Sequence, residues 1–217
     1  ALMTELRSNT SDAYSLLLRR VDADGRQRWA RQLSLPEEDI EFFPGAFASH
    51  SSYRGRWVVG YIGDSSGDED SSHVGILSFD GDGTLLWSRR LSVDSDFGFS
   101  TSDAQAEFDA QGNVYICIDT NFAASALILC LDSAGTARWC RQITLPGISS
   151  EVGSFECTGM ALGPNADGAL YLVGYSGYIV PDSGFDITMS ARPVLIIMNQ
   201  AGELRSVQRL DVLDGSF

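Results

Sequence analysis

Two short stretches have the residue types and spacing of a metal loop. Asp22-Ala23-Asp24-Gly25 and Asp80-Gly81-Asp82-Gly83 place carboxylates at alternate positions ahead of a glycine, as calcium loops do. Such a loop needs a further acid and a glutamate at its twelfth position. Leu33 and Leu91 stand there instead, so a turn explains these acids better. A second acidic group, Asp64, Asp68, Glu69 and Asp70, falls in the polar run 63–72, GDSSGDEDSS. That run reads as a mobile loop whose acids could gather around a hard cation. No cofactor is otherwise expected, and calcium is the one cation for which these acids offer a place.

Nucleophilic chemistry is less well supplied. Serines are many, but no GxSxG elbow occurs, and the two histidines, His50 and His73, read as structural or solvated groups. The acids, 29 in all, are too many to single out the carboxylate pair of a glycosidase. Cys117, Cys130, Cys140 and Cys157 each lie in an apolar run and lack CxxC spacing. They read as buried free thiols, with a Cys130–Cys140 cross-strand disulfide as the alternative. Zinc is disfavoured, because neither histidine lies near a cysteine pair. Arg31, Arg89 and Arg141 recur at one repeat position. They could form a ring of cations, but pairing with a neighbouring acid or covering the tryptophan below is the simpler role.

The element that must position these residues is a β-hairpin, complete over 127–143, LILCLDSAGTARWCRQI. The apolar run from Leu127 to Leu131 suits a strand. Asp132, followed three places later by Gly135, matches a type I turn closed by a glycine at positive φ. Trp139, Arg141 and Ile143 then share one face of the returning strand. The pattern occurs four times. The turn glycines are Gly25, Gly83, Gly135 and Gly202, preceded by Asp22, Asp80, Asp132 and Asn199. Trp29, Trp87 and Trp139 follow, but Ser206 stands in the last copy. Next come Arg31, Arg89, Arg141 and Gln208, then Leu33, Leu91, Ile143 and Leu210.

A second glycine turn, at Gly55, Gly112 and Gly168, leads into a strand within each period, and weaker strands precede it at 46–50, 104–108 and 159–162. Four antiparallel strands in two hairpins make the blade of a β-propeller. The expected fold is therefore all-β: a propeller of about four four-stranded blades, the first lacking a strand. The interval from Gly112 to Gly135, counted back from Gly25, falls at Leu2, which makes residues 3–7 the second strand of blade 1. We read residues 1–217 as one propeller domain or propeller segment, with blade 1 partial over 1–35, blade 2 at 46–93, blade 3 at 104–145 and blade 4 at 159–213. Unpaired blade edges invite strand addition, which favours a larger assembly or a longer parent chain over a free monomer.

The connections vary more. Linkers 34–45, 92–103 and 144–155 mix acid with phenylalanine. Phe43, Phe99 and Phe155 either tuck under their loops or offer aromatic contact points on one face. The connection 174–192 carries Tyr175, Tyr178, Ile179 and Phe185, and reads as a loop suited to protein or glycan contact.

A formal net charge of −14, with every basic residue an arginine, argues against nucleic acid as a partner. No run approaches the roughly 20 apolar residues of a membrane helix, so membrane insertion is not expected. The N-terminus lacks the layout of a signal peptide. A soluble protein is expected, and an extracellular or virion-surface setting would suit it.

At VDADGRQRW, FDGDGTLLW and LDSAGTARW, supported by QGNVYICI and DGALYLVG, the chain resembles bacterial propeller repeats of the seven-bladed and pyrroloquinoline-quinone-like types. The resemblance implies that Trp29, Trp87 and Trp139 pack between blades and that the blade bearing Ser206 packs differently or lies at an edge. It extends to the fold; no motif matches the quinone-binding acids or metal ligands of the dehydrogenases. The function expected is a non-catalytic binding or structural module that contacts other protein subunits, further blades or glycan, as in a virion tail or surface appendage. The alternative is a propeller-type enzyme acting on glycans or small substrates through an acidic central pocket.

Overall fold

The computed structural model describes residues 2–10, 13–34, 40–43, 48–50, 56–65, 73–92, 105–119, 125–144, 153–163, 168–181 and 187–209. Over these residues the chain is all-β. No helix among them is long and apolar enough to cross a membrane.

Four antiparallel sheets follow one another along the chain. The first comprises β1 (Leu2–Thr10), β2 (Ala13–Val21) and β3 (Gln27–Ser34). The second comprises β4 (Ile40–Phe43), β5 (Ala48–His50), β6 (Trp57–Ser65), β7 (His73–Phe79) and β8 (Leu85–Ser92); β4 and β5 both pair with β6. The third runs β9 (Gln105–Phe108), β10 (Val114–Asp119), β11 (Ser125–Leu131) and β12 (Ala137–Thr144). The fourth runs β13 (Gly153–Leu162), β14 (Leu170–Pro181), β15 (Ile187–Met198) and β16 (Leu204–Arg209).

The repeated hairpin forms as its residues require. Gly25, Gly83, Gly135 and Gly202 have φ of 78°, 78°, 78° and 80°, a left-handed conformation that costs a side-chain-bearing residue roughly 1–2 kcal/mol. Each returning strand then carries one extra residue. Arg20 lies opposite Trp29 while Val21 lies opposite Gln27, so Arg28 is the bulge. Leu86, Arg138 and Arg205 occupy the same place in the other three hairpins. A bulge re-aims the side chain that follows it, and the residue that follows is the tryptophan, or Ser206.

The core lies between consecutive sheets. Val58, Val74 and Ile76 of the second sheet pack with Val114, Ile116, Ile118, Leu129 and Leu131 of the third. The opposite face of the third sheet, with Tyr115, Cys117, Ile128 and Cys130, packs on Leu170, Leu172, Val194 and Ile196 of the fourth. The third sheet is thus buried on both faces, which explains why β10 and β11 read as unbroken apolar runs without alternation. Each fully buried aliphatic contributes about 1.5–3 kcal/mol.

Three connections depart from their reading as loops. Residues 40–43, expected as linker, form β4, so Phe43 belongs to a strand. Phe155 lies on β13, which begins earlier than expected; Phe99 lies outside the described residues. The connection 174–192 is largely a continuation of the β14–β15 ladder, with Tyr178 opposite Ser190 and Pro181 opposite Ile187. Glycine and proline in this stretch suggest a break. They are accommodated because a long antiparallel ribbon satisfies its backbone groups internally.

Candidate functional site

The most elaborated arrangement among the described residues is the seam between one hairpin and the next. It begins with the turn itself. Asp80 Oδ1 accepts hydrogen bonds from the backbone N–H of Asp82 (2.9 Å) and of Thr84 (2.8 Å). Asp22 does the same for Asp24 (3.0 Å) and Arg26 (2.8 Å), and Asp132 for Ala134 (2.9 Å) and Thr136 (2.8 Å). Asn199 fills this role with Ala201 (3.0 Å) and Glu203 (2.8 Å). An uncharged side chain serves as well as a carboxylate, so the turn needs an acceptor rather than an anion. The N–H of Thr84, chiefly, holds the Asp80 carboxyl below its usual range, and that of Thr136 does the same for Asp132. This use accounts for the first acid of each stretch that resembles a calcium loop.

The turn so formed is a seat for an indole. The Trp29 ring lies against Gly83, where a Cβ would stand 2.7 Å from it. Trp87 lies against Gly135 at 2.6 Å and Trp139 against Gly202 at 2.7 Å. Glycine is therefore needed twice, for φ and for the ring. Each indole N–H donates to the carbonyl two residues before that glycine: Trp29 to Gly81 (3.1 Å), Trp87 to Ser133 (3.2 Å) and Trp139 to Gln200 (2.9 Å). Arg20 also donates to the Gly81 carbonyl, and Arg56 to that of Ser133 (2.8 Å). The three rings thus occupy equivalent places.

The repeated arginines complete the seam. Arg31 Nε donates to the Gly83 carbonyl (3.0 Å) and Arg89 Nε to the Gly135 carbonyl (2.6 Å). The Arg89 guanidinium lies 6.0 Å from the Trp87 ring centre. Arg141 donates to its own Cys140 carbonyl (2.9 Å). Arg31 and Arg89 thus serve turn carbonyls, a role not among those expected, while Arg89 also lies over its tryptophan, one of the two simpler roles expected. A planar fork of donors suits a turn edge that offers several carbonyls.

Behind the third-sheet seam lies a polar cluster. Asp109, itself buried, accepts from the N–H of Gln111 (2.9 Å) and Asn113 (2.8 Å), from Asn113 Nδ2 (2.6 Å) and from the Tyr115 hydroxyl (3.2 Å). Burial raises the Tyr115 phenol, with Cys130 and Asp109 adding to it, and burial pushes the Cys130 thiol up to about 11. Glu107, which lies opposite Tyr115 on β9, is also raised by burial. Asp109 is absent from the residues that the sequence singled out. Its signal is present all the same, because Asp109 stands three residues before Gly112 as Asp132 does before Gly135.

Cys130 carries a pH prediction. Folded Cys130 keeps its proton at a pH where an unfolded cysteine, at 9.0, has lost it. An acid raised in this way stabilises the fold fully below pH 9, and that contribution is lost as pH rises toward 11. The urea midpoint should fall as pH rises through this window, and less steeply in Cys130→Val. An equal fall in both proteins would mean that Cys130 does not cause it.

The four cysteines are free thiols. Cys117, Cys130 and Cys157 are buried, but Cys140 is exposed, which corrects its reading as a core residue. Cys130 pairs with Trp139 and Cys140 with Leu129, so the two cysteines sit on opposite faces of the ribbon and do not form the disulfide considered above. Native protein should therefore label rapidly at one thiol, and at all four after denaturation. Loss of the rapid thiol in Cys140→Ser identifies it; equal rates at several thiols would contradict the burial pattern.

Those of the expected contact residues that are described fall on two strands, β14 and β6. Tyr175 lies on β14 with 47% of its surface exposed, beside Val173 at 45%. Tyr178 and Ile179 lie farther along the same strand, and Phe185 is outside the described residues. Asp64 is on β6 opposite Glu41 rather than in a loop, while Asp68 and Asp70 are outside the described residues. His50 and His73 fall on β5 and β7. Among the described residues no three His, Cys, Asp or Glu side chains gather as a metal site.

No protein-family model matches the chain, and no curated protein matches it. Among solved structures, a variant of the Synechocystis apocarotenoid oxygenase is 13% identical with a TM-score of 0.48, the match covering 90% of this chain and 46% of that one. The GH43 β-1,3-galactosidase is 11% identical with a TM-score of 0.44, covering 95% of this chain and 44% of that one. The chain thus spans less than half the length of either solved protein.

Proposed function

We propose that this chain is a β-propeller segment that serves as a non-catalytic binding or structural module, contacting other protein subunits or glycan within a larger assembly such as a virion tail or surface appendage. The observation that carries the reading is the repeated seam. Three times, an indole and its neighbours lock one sheet onto the turn of the next. The first acid of each turn, Asp22, Asp80 or Asp132, holds backbone N–H groups, which is a structural use. Large apolar residues stay exposed on two sheets: Val173 and Tyr175 on β14 and Leu204, 50% exposed, on β16 of the fourth, and Leu85 and Leu86 on β8 of the second. Apolar groups in that position favour contact with another macromolecule.

Sedimentation of the purified chain from about 1 to 100 µM, roughly the range in which modest interfaces populate, tests the reading. Association that weakens in Tyr175→Glu is the expected result. A monodisperse monomer that hydrolyses a glycan substrate would replace the module with the enzyme alternative.

A further inference from the structure

At the seam between the third and fourth sheets a phenol lies beside the indole. Cys130 pairs with Tyr115 on one side and with Trp139 on the other, so the three side chains share one face of the third sheet. The Tyr115 and Trp139 rings stand 6.0 Å apart, centre to centre, with an interplanar angle of 51°. The same three places hold Leu2, Arg20 and Trp29 in the first sheet, and Val58, Ser78 and Trp87 in the second. In the fourth they hold Tyr171, Ile197 and Ser206. Among the described residues, phenol and indole therefore meet at these places in the third sheet alone.

The two rings differ in what faces their protons. The Trp139 N–H donates to the Gln200 backbone carbonyl (2.9 Å), which is too weak a base to take the proton. The Tyr115 hydroxyl donates to Asp109 Oδ2 (3.2 Å), a carboxylate within reach for proton transfer. They differ in exposure too: Trp139 is partly exposed, whereas Tyr115 and Asp109 are buried. An oxidised indole at this place keeps its proton and remains a strong oxidant. A phenol that gives up an electron here can shed its proton in the same event, and so leaves no charge on the ring.

We infer that Trp139, Tyr115 and Asp109 form a relay that carries the oxidising equivalent of an outer-sphere one-electron oxidant from the surface to a buried phenoxyl radical. The oxidant takes one electron from the Trp139 indole and leaves a radical cation. Tyr115 returns an electron to that ring, and its phenolic proton moves to Asp109 Oδ2. The products are reduced oxidant, restored Trp139, a neutral phenoxyl on Tyr115 and a protonated Asp109. Burial keeps this radical from coupling with one on another molecule. The relay does not depend on what the module contacts.

Flash photolysis of the full chain with ruthenium tris-bipyridine and persulfate supplies the oxidant. Transient absorption follows decay of the indole radical and rise of the phenoxyl, and freeze-quenched electron paramagnetic resonance identifies the phenoxyl. Its formation is the readout, because the Cys130 thiol shares a hydrogen bond with Tyr115 and can quench the radical afterwards. The wild type is compared with Tyr115→Phe, Trp139→Phe, Asp109→Asn and Tyr175→Phe, and circular dichroism checks each fold. Tyr115→Phe removes only the hydroxyl. Asparagine suits the Asp109 turn, as Asn199 shows in holding the same pair of N–H groups, but it takes no proton. The expected result is a phenoxyl component, coupled to indole decay, that is lost in the first three variants and kept in Tyr175→Phe. Identical signals in the wild type and Tyr115→Phe overturn the inference, as does a component that Trp139→Phe or Asp109→Asn leaves at full rate.

Discussion

Replacing Trp87 by alanine should lower stability by about 3 kcal/mol, at the low end of the range for large aromatic-to-alanine changes because the ring remains partly exposed. Two losses combine here. The indole N–H bond to Ser133 is worth about 1 kcal/mol net. The apolar contact weighs more: the ring packs on Gly135 and on the Leu129–Leu131 side of the third sheet, and alanine would leave a void there. Phenylalanine separates the two. Trp87→Phe keeps most of the contact, loses the N–H and should cost only about 1–2 kcal/mol. For a chain of 217 residues the alanine variant should melt roughly 6–12 °C lower, measured by circular dichroism or calorimetry. A loss below about 1 kcal/mol, within the range of an ordinary surface change, would mean that the ring does not hold the two sheets together.

The second large effect concerns the glycine beneath that ring. Gly135→Ala should destabilise by about 3 kcal/mol or more, and Gly25→Ala by only about 1–2 kcal/mol. Both substitutions force alanine into a left-handed conformation at φ 78°. Only the first also drives a methyl group to 2.6 Å from the Trp87 ring, which must then leave its seat and its hydrogen bond. The difference between the two losses isolates the ring contact, since the turns are otherwise alike. Once Trp87→Ala has removed the ring, Gly135→Ala should cost only the backbone strain, about 1–2 kcal/mol. Denaturant titration of the wild type, the two single variants and the double variant closes the cycle. Equal losses at Gly25 and Gly135 would show that backbone strain is the whole effect.

Much of the local structure is legible in the chain. Asp132 and Gly135 mark a turn because one accepts backbone N–H groups and the other tolerates positive φ, and both causes act within a few residues. The apolar runs of β10 and β11 announce strands for a similar reason. The edges are less legible. Residues 40–43 and 174–181 carry glycine, proline, acid and aromatic residues in a mixture that suits loops and exposed ribbons equally. Pairing partners far along the chain decide between the two. The candidate contacts divide accordingly: Tyr175 is exposed as expected, but on a strand, and Asp64 is drawn into β6.

By itself the sequence determined the four glycine turns, the strands that flank them and the recurrence of tryptophan and arginine after them. Those are consequences of backbone conformation and side-chain period, which neighbouring residues set. Tertiary structure alone decided where the indoles go. Bulges at Arg28, Leu86 and Arg138 re-aim the rings that follow, and each ring's N–H meets a carbonyl 46 to 61 residues away. It also decided that Gly25 lies open while its three counterparts are covered, and that Cys140 faces away from Cys130. Such facts depend on which sheet stacks on which, and that is settled by the burial of whole faces rather than by any short stretch of chain.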